Sequence, residues 1–278
     1  MSGPLFSISF TKVQRFQRCR LQYFFEYLSG EPRPPDIQSP AGILGTGVHR
    51  AMCILCNTGD PEAGRAALDA YLRMPVHESA GPGTEWNRLA FEVYENGCAA
   101  HASLASEDRW AEKETWAPFP SGGVSVYAKV DRIDRLGPDR WQVIDWKTGR
   151  LDDDEATDAQ LDLAHVALRV SFRALVGPAA TVRTVAWNLR SGEQRVRELN
   201  RDDARATMRQ YAALARQMQR VTGFPATPGP YCRFCRWVER CPEYAPAVSG
   251  EDWEDALEDE EAEELVPGEG HGEAQDGP

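Results

Sequence analysis

At 278 residues and 42% hydrophobic content the chain can bury a full core, which excludes a wholly disordered protein. The net charge of −12 is local, because 13 of the 43 acidic residues lie in "SGEDWEDALEDEEAEELVPGEGHGEAQDGP", residues 249 to 278, leaving 30 acids against 31 bases elsewhere. A near-neutral body keeps a polyanionic partner in play. The longest apolar runs fall far short of the ~20 residues of a bilayer crossing, and "MSGPLFSISFTK" lacks the basic and apolar regions of a signal peptide, so a soluble cytoplasmic protein is expected.

"TKVQRFQRCRLQYFFEYL", residues 11 to 28, carries Val13, Phe16, Phe24, Tyr27 and Leu28 at helical spacing, with Thr11 and Gln14 as a capping box. "GTGVHRAMCILCNTG" repeats Val48, Ala51, Met52, Leu55 and Cys56 at i, i+3, i+4, i+7 and i+8, a second helix ended by Gly59. Residues 61 to 108 show no strand alternation and read as a helical insertion. Strands begin near Trp110: "RWAEKETWAP", "GVSVYAKVDRIDRL" and "WQVIDWKTG" form a three-strand meander between Pro, Gly, Ser and Asp turns. "AQLDLAHVALRVSFRAL" is a helix, "TVRTVAWNL" and "QRVREL" a hairpin, and "DDARATMRQYAALARQMQRV" a helix capped by Asn200 or Asp202. This order suggests an α/β core. The last thirty residues self-repel and bury little, so they should be disordered, either as a solubilising tail or as a mimic of nucleic-acid charge that competes for a basic groove or recruits a partner.

The stretch "VIDWKTG" holds the main chemical signal. Alternation sets Asp145 and Lys147 on one face of a strand and Ile144 and Trp146 on the other. Alone, D-x-K reads as a salt bridge at a strand end. The preceding strand adds Asp131, and two converging carboxylates repel unless a cation lies between them. Oxygen ligands of this kind suit Mg²⁺ or Mn²⁺, which polarises a phosphate and lowers the pKa of a bound water. Lys147 would then position that water or stabilise charge developing on the phosphate.

The run "AKVDRIDRLGPDRWQVIDWKTG" resembles motifs II and III of the PD-(D/E)XK nuclease superfamily, in its RecB-family exonuclease branch, where G-x-x-D-R-x-D precedes a strand ending D-x-K-T-G. The resemblance implies a restriction-endonuclease-like α/β core, a mixed sheet flanked by helices, with Asp131 and Asp145 on the metal and Lys147 completing the site. Ala128 stands where the branch usually has Gly. "GTGVH" matches its G-x-x-x-H motif and implies His49 as a further metal ligand. "QLDLA" matches the start of its Q-L-x-x-Y helix at Gln160, but Ala164 replaces the aromatic, with His165 beside it as the candidate substitute. Glu114, or Glu112, stands where relatives carry an upstream acid. Arg132 suits a structural role or a phosphate contact.

"YCRFCRWVERCPEY" spaces Cys232, Cys235 and Cys241 as C-x2-C-x5-C, one thiol short of a four-ligand site. "SFTKVQRFQRCRLQYF" is similar to the N-terminal segment of iron–sulfur nucleases of the AddB type and of CRISPR spacer-acquisition exonucleases, with Arg20 in place of the usual Pro. That likeness implies Cys19 as the fourth ligand of a [4Fe–4S] cluster joining the N- and C-terminal segments, over a loop of more than two hundred residues. Zinc is the rival occupant, since C-x2-C spacing serves it too. Cys53, Cys56 and Cys98 read as buried free thiols.

Lys12, Arg15, Arg18, Arg233 and Arg236 alternate with aromatic residues, a mixture that binds single-stranded nucleic acid or simply packs a core with solvated arginines. The expected organisation is a nuclease domain over residues 1–248, with an insertion at 61–108 and a cysteine segment at 224–245, then the acidic tail 249–278. The expected activity is a Mg- or Mn-dependent deoxyribonuclease, an exonuclease on single-stranded DNA ends, working with a helicase, recombination or CRISPR partner. A catalytically inactive DNA-end scaffold with the same fold is the alternative. A zinc-stabilised adaptor acting through the tail is a third.

Overall fold

The computed structural model describes residues 5–149, 151 and 154–244; the acidic segment 249–278 and the expected boundary at 248 lie outside these described residues. A short strand, β1 (Phe6–Ser9), leads into α1 (Phe10–Arg18), and α2 (Arg20–Tyr27) follows after one residue. The single helix expected over 11–28 is thus two. Cys19 interrupts it with extended backbone, φ −152° and ψ 112°, and its Sγ accepts from Gln22 N at 3.5 Å as the cap of α2. Ser9 rather than Thr11 caps α1, its Oγ accepting from Lys12 N at 3.2 Å.

α3 (Pro40–Thr58) starts from Ser39 as cap with Pro40 in its first turn, and ends at Gly59 in the left-handed region at φ 72°. α4 (Pro61–Leu72) and α5 (Glu85–Ala102) follow, joined through a 3₁₀ stretch, before strand structure resumes. β2 (Asp108–Phe119), β3 (Val124–Gly137) and β4 (Arg140–Lys147) form the expected antiparallel meander. After α6 (Asp154–Ser171), β5 (Thr181–Asn188) and β6 (Gln194–Leu199) pair as a hairpin, and α7 (Arg201–Arg220) closes the core. Asn200 caps α7 in a reciprocal box with Asp203, whose carboxylate accepts from Asn200 N at 2.7 Å.

The sheet is mixed, in the order β1-β3-β4-β5-β6 with β2 on the other edge of β3. β1 runs parallel to β3 and β4 parallel to β5. β3 is the longest strand, and β1 and β4 share one of its edges: β1 takes Val124 to Tyr127, β4 takes Arg132 to Gly137. Residues 128–131 lie between these two pairings. Helices cover both faces, Ile144 and Trp146 packing with α3 and α5 while Val143 packs with α6. The alternation read from the sequence for β4 therefore holds.

The aromatic and basic N-terminal region is largely internal architecture. Glu26 is buried and sits 3.7 Å from Arg15, 3.4 Å from Arg33 and 3.4 Å from Arg236. Arg236 also pairs with Asp36, and Trp237 stacks on Phe25 at 5.0 Å. Arg15 and Arg236, expected near a nucleic acid, are thus committed to a carboxylate that ties the C-terminal segment to α2. Among the described residues no helix is long and apolar enough to cross a membrane.

His165 on α6 is fully buried, with Nε2 2.6 Å from Arg169 Nε, and burial followed by the Arg169 charge pushes its pKa down to about 3. The unfolded chain, with an ordinary imidazole near 6.5, takes up the proton first. Stability contributed by this neutral histidine is full above about pH 6.5 and declines toward pH 3 by up to about 1.4 kcal/mol per pH unit. Urea denaturation at pH 7 and pH 5 should therefore show a loss about 2 kcal/mol smaller in His165→Gln than in wild type; equal losses would remove His165 as the cause.

Candidate active site

The gap between β1 and β4 along β3 opens a cleft lined by Ser9, Phe10, Tyr127 to Asp131, Val143, Asp145, Gln160 and Ala164. Continuing the β3–β4 register one step past Arg132↔Ile144 sets Asp131 beside Asp145. Across β2, the pairing skips Asp131 and Glu112, and Glu112 has φ 44°, a rare backbone state for a residue with a Cβ. The pleat slips at the same place. Val126, Val130 and Ile133 all pack with α6-side clusters, although Val130 and Ile133 are an odd number of residues apart. Asp131 thus sits where β3 breaks its alternation, a kind of irregularity that clusters at functional sites.

Three side chains and one backbone N–H surround the two carboxylates. Trp146 N donates to Asp131 Oδ2 at 2.9 Å, and His49 Nδ1, from α3, lies 3.3 Å from Asp131 Oδ1. Lys147 Nζ lies 2.8 Å from Asp145 Oδ2 and donates to Gln160 Oε1 at 2.7 Å, while Gln160 Nε2 donates to Asp145 Oδ1 at 2.7 Å. Gln160, on the first turns of α6, therefore bridges the acid and the base. Asp145 Oδ2 accepts no well-directed hydrogen bond despite its proximity to Lys147.

Burial, and then the Asp131 charge, raise the Asp145 pKa, against the opposing pull of Lys147 and His49. Burial disfavours the charged form of His49, but the Asp131 charge and hydrogen bond, with Asp145, outweigh it and hold His49 above its ordinary value. The site is a negative pocket that draws positive charge from every side chain able to supply it. Asp131, Asp145, His49, Lys147 and Gln160, singled out from sequence, are all brought together here.

Other candidates fall elsewhere. Arg132 is fully buried, its Nε 2.9 Å from both Asp134 oxygens and its Nη1 2.8 Å from His101 Nδ1, so it has no reach to a phosphate. Ala164 lines the cleft, while His165 turns away to Arg169 and does not fill the place of the missing aromatic. Glu112 pairs with Lys129 at 2.7 Å, and Glu114 hydrogen-bonds Tyr127. Tyr127 and Lys129 line the cleft and went unremarked in the sequence, since regular alternation through "YAKVDRID" gives no sign of the slipped pleat.

Cys19, Cys232, Cys235 and Cys241 line a single pocket together with Phe25 and Trp237. Burial raises the Cys235 thiol pKa, and the neighbouring Cys19, Cys232 and Cys241 add to that after a backbone hydrogen bond from Trp237 opposes it. Tyr231 Oη donates to Arg18 O at 3.1 Å, bringing the C-terminal turn against the α1–α2 junction. All seven cysteines are free; Cys56 is buried, whereas Cys53 and Cys98 are partly exposed, which corrects their expected burial: Cys53 lies off the buried stripe of α3, and Cys98 packs only at the margin of the core. Among the described residues, no group of three or more His, Cys, Asp or Glu side chains is arranged to hold a single metal ion as it stands.

Comparison with known proteins identifies the chain at the level of a superfamily. No curated protein matches the chain. Among solved structures, the crystal structure of SSO0001 aligns over 84% of this chain and 96% of its own, at 16% identity and a TM-score of 0.33, a likeness too weak to carry an argument. The sequence profile of the PD-(D/E)XK nuclease superfamily, by contrast, matches residues 7–242, the span that holds the mixed sheet, the carboxylate cleft and the four-cysteine pocket, and the chain belongs to that superfamily.

Proposed function

We propose that this chain is a divalent-metal-dependent deoxyribonuclease that degrades single-stranded DNA from its ends, in repair, recombination or CRISPR or phage DNA processing, with a helicase or recombination protein as partner. The observation that carries the reading is Gln160 bridging Lys147 and Asp145 at the cleft wall, with Asp131 beside Asp145 and His49 on Asp131. The donor set fits a hard cation: two carboxylates set side by side, one half-buried with an inaccessible oxygen that lacks a well-directed hydrogen bond, and an imidazole nitrogen. Asp131, Asp145 and His49 would hold Mg²⁺ or Mn²⁺, which supplies phosphate polarisation and a more acidic water. The protein's own part is positional. Trp146 N fixes Asp131, Gln160 fixes both Asp145 and Lys147, and Lys147 Nζ stabilises negative charge gathering on the phosphate or orients the attacking water.

Cys19, Cys232, Cys235 and Cys241 are the proposed ligands of a [4Fe–4S] cluster with a structural role, and zinc is the competing occupant. Four soft thiols facing one pocket support the assignment. The organisation proposed is a nuclease domain over residues 1–248 with a helical insertion at 61–108. An inactive DNA-end scaffold is favoured by one feature, Ala164 at the cleft wall where an aromatic is usual.

Two assays test the reading. Linear single-stranded DNA should be degraded and circular single-stranded DNA spared, and cutting of both would replace the exonuclease by an endonuclease. Anaerobically prepared protein should contain iron and acid-labile sulfide that Cys235→Ser loses; zinc in their place overturns the cluster.

A further inference from the structure

A second basic feature lies away from the carboxylate cleft, in a groove between the C-terminal half of α6 and the first turns of α7. Five arginines line it, Arg169, Arg173, Arg201, Arg205 and Arg209, and no acidic residue does. Its remaining lining is mostly apolar, including Phe119, Val170 and Met208. Arg201, Arg205 and Arg209 recur at i, i+4 and i+8, which sets them in one row along α7.

The charges in this groove are poorly balanced. Arg169 is held in place by His165 and by the backbone carbonyl of Gly177, and burial followed by the Arg201 charge lowers its pKa. Arg205 pairs with Asp202 at 2.8 Å, but both side chains are exposed and such pairs contribute little. Arg173, Arg201 and Arg209 have no carboxylate within ion-pair distance among the described residues. A row of guanidinium groups met by a single exposed ion pair, that of Arg205 with Asp202, over an apolar floor suits an extended acidic ligand carrying some apolar side chains, because guanidinium pairs carboxylates in a planar, two-point geometry.

The same chain contains such a ligand. From Glu251 to Glu264 it reads "EDWEDALEDEEAEE", rich in carboxylates, free of Lys and Arg, with Trp253 and Leu257 as apolar positions. Geometry permits the contact. Tyr244 lines the same pocket as Ala226 to Pro228, shortly after α7 ends at Arg220. The groove occupies the other half of α7, roughly 17–29 Å back along the helix from Arg220 at ~1.5 Å per residue, and residues 221–226 add at most roughly 20 Å to that path. The chain from Tyr244 to Glu251 can span roughly 23 Å and to Glu258 roughly 45 Å when extended. Tethering also raises the effective concentration to the order of millimolar, so weak individual pairs suffice.

We propose that the arginine-lined groove between α6 and α7 is the docking site for the acidic segment 251–264 of the same chain. The segment occupies the groove at low ionic strength and leaves it as salt screens the pairs, since the Debye length falls to about 3 Å at 1 M. The proposal does not depend on nuclease activity.

Hydrogen exchange read by mass spectrometry on the full chain tests it, with Arg201→Glu/Arg205→Glu/Arg209→Glu as the comparison; all three side chains are exposed, so the fold is retained. Amides of residues 251–264 are expected to exchange at least several-fold more slowly in wild type than in the triple variant at low salt, and the difference should vanish at high salt. Protection unchanged on tenfold dilution supports docking within one chain, whereas protection lost on dilution overturns it in favour of a second copy. Equal exchange in wild type and variant overturns it outright. So does a groove that protects only when a single-stranded oligonucleotide is added, which would make it a nucleic-acid surface instead.

Discussion

Lys147→Ala is expected to lower kcat for single-stranded DNA cleavage by about 10²–10³-fold with little change in KM, the loss typical of removing one preorganised donor from a transition state. The ammonium sits 2.8 Å from Asp145 and 2.7 Å from Gln160 Oε1, held on both sides before any substrate arrives. Its charge is therefore delivered without reorganisation. Lys147→Arg should rescue little, because a planar guanidinium cannot occupy the place of a compact ammonium between Gln160 and Asp145. Gln160→Leu should fall between wild type and Lys147→Ala, since it frees Lys147 without deleting it. Single-turnover rates at saturating Mn²⁺ read the chemical step. A Lys147→Ala rate within about threefold of wild type would show that the lysine takes no part in it.

Asp134→Ala is expected to cost about 3–5 kcal/mol of folding stability, because it leaves the Arg132 guanidinium buried without its carboxylate. Both side chains are fully inaccessible, and Arg132 Nε lies 2.9 Å from each Asp134 oxygen. The remaining neighbour is no substitute. His101, whose pKa is lowered to about 4 by burial and then by Arg132 and Arg109, stays neutral at physiological pH. Replacing both partners, Arg132→Met with Asp134→Leu, should cost less than Asp134→Ala alone, since no unpaired charge is then left inside. Urea denaturation at constant pH makes the comparison. A loss below about 1 kcal/mol for Asp134→Ala would mean that the pair is solvated in a way its burial does not suggest.

Much of this fold was legible because its elements are locally specified. Asn200 or Asp202 as a cap announces the start of α7, where the structure selects Asn200, and Gly59 marks the end of α3. Alternation alone placed Asp145 and Lys147 together and sent Ile144 and Trp146 to the opposite face, the one α3 and α5 cover. What escaped reading depends on distant partners. "FSIS" becomes β1 only by pairing in parallel with β3, more than a hundred residues later, and four residues carry too little pattern to announce that. Cys19 looks like one more helical position until its backbone turns extended and its thiol caps the next helix. Arg132 follows Asp131 directly and so suited either a structural role or a phosphate contact, and its buried pair with Asp134 gives it the structural one. The slipped pleat sends it inward to Asp134 and His101. Arg15 and Arg236 likewise suited either a nucleic-acid surface or solvated positions around an aromatic core, whereas both pair with the buried Glu26, which Arg33 joins.

The most direct test of the central claim is the cleavage rate of end-labelled single-stranded DNA by the anaerobically purified full chain, with Mg²⁺ or Mn²⁺ and with EDTA. Degradation that requires the metal and is lost in Asp145→Ala is the predicted result. A folded wild type that binds this DNA and leaves it intact at every metal concentration would contradict the nuclease assignment and leave the scaffold reading in its place.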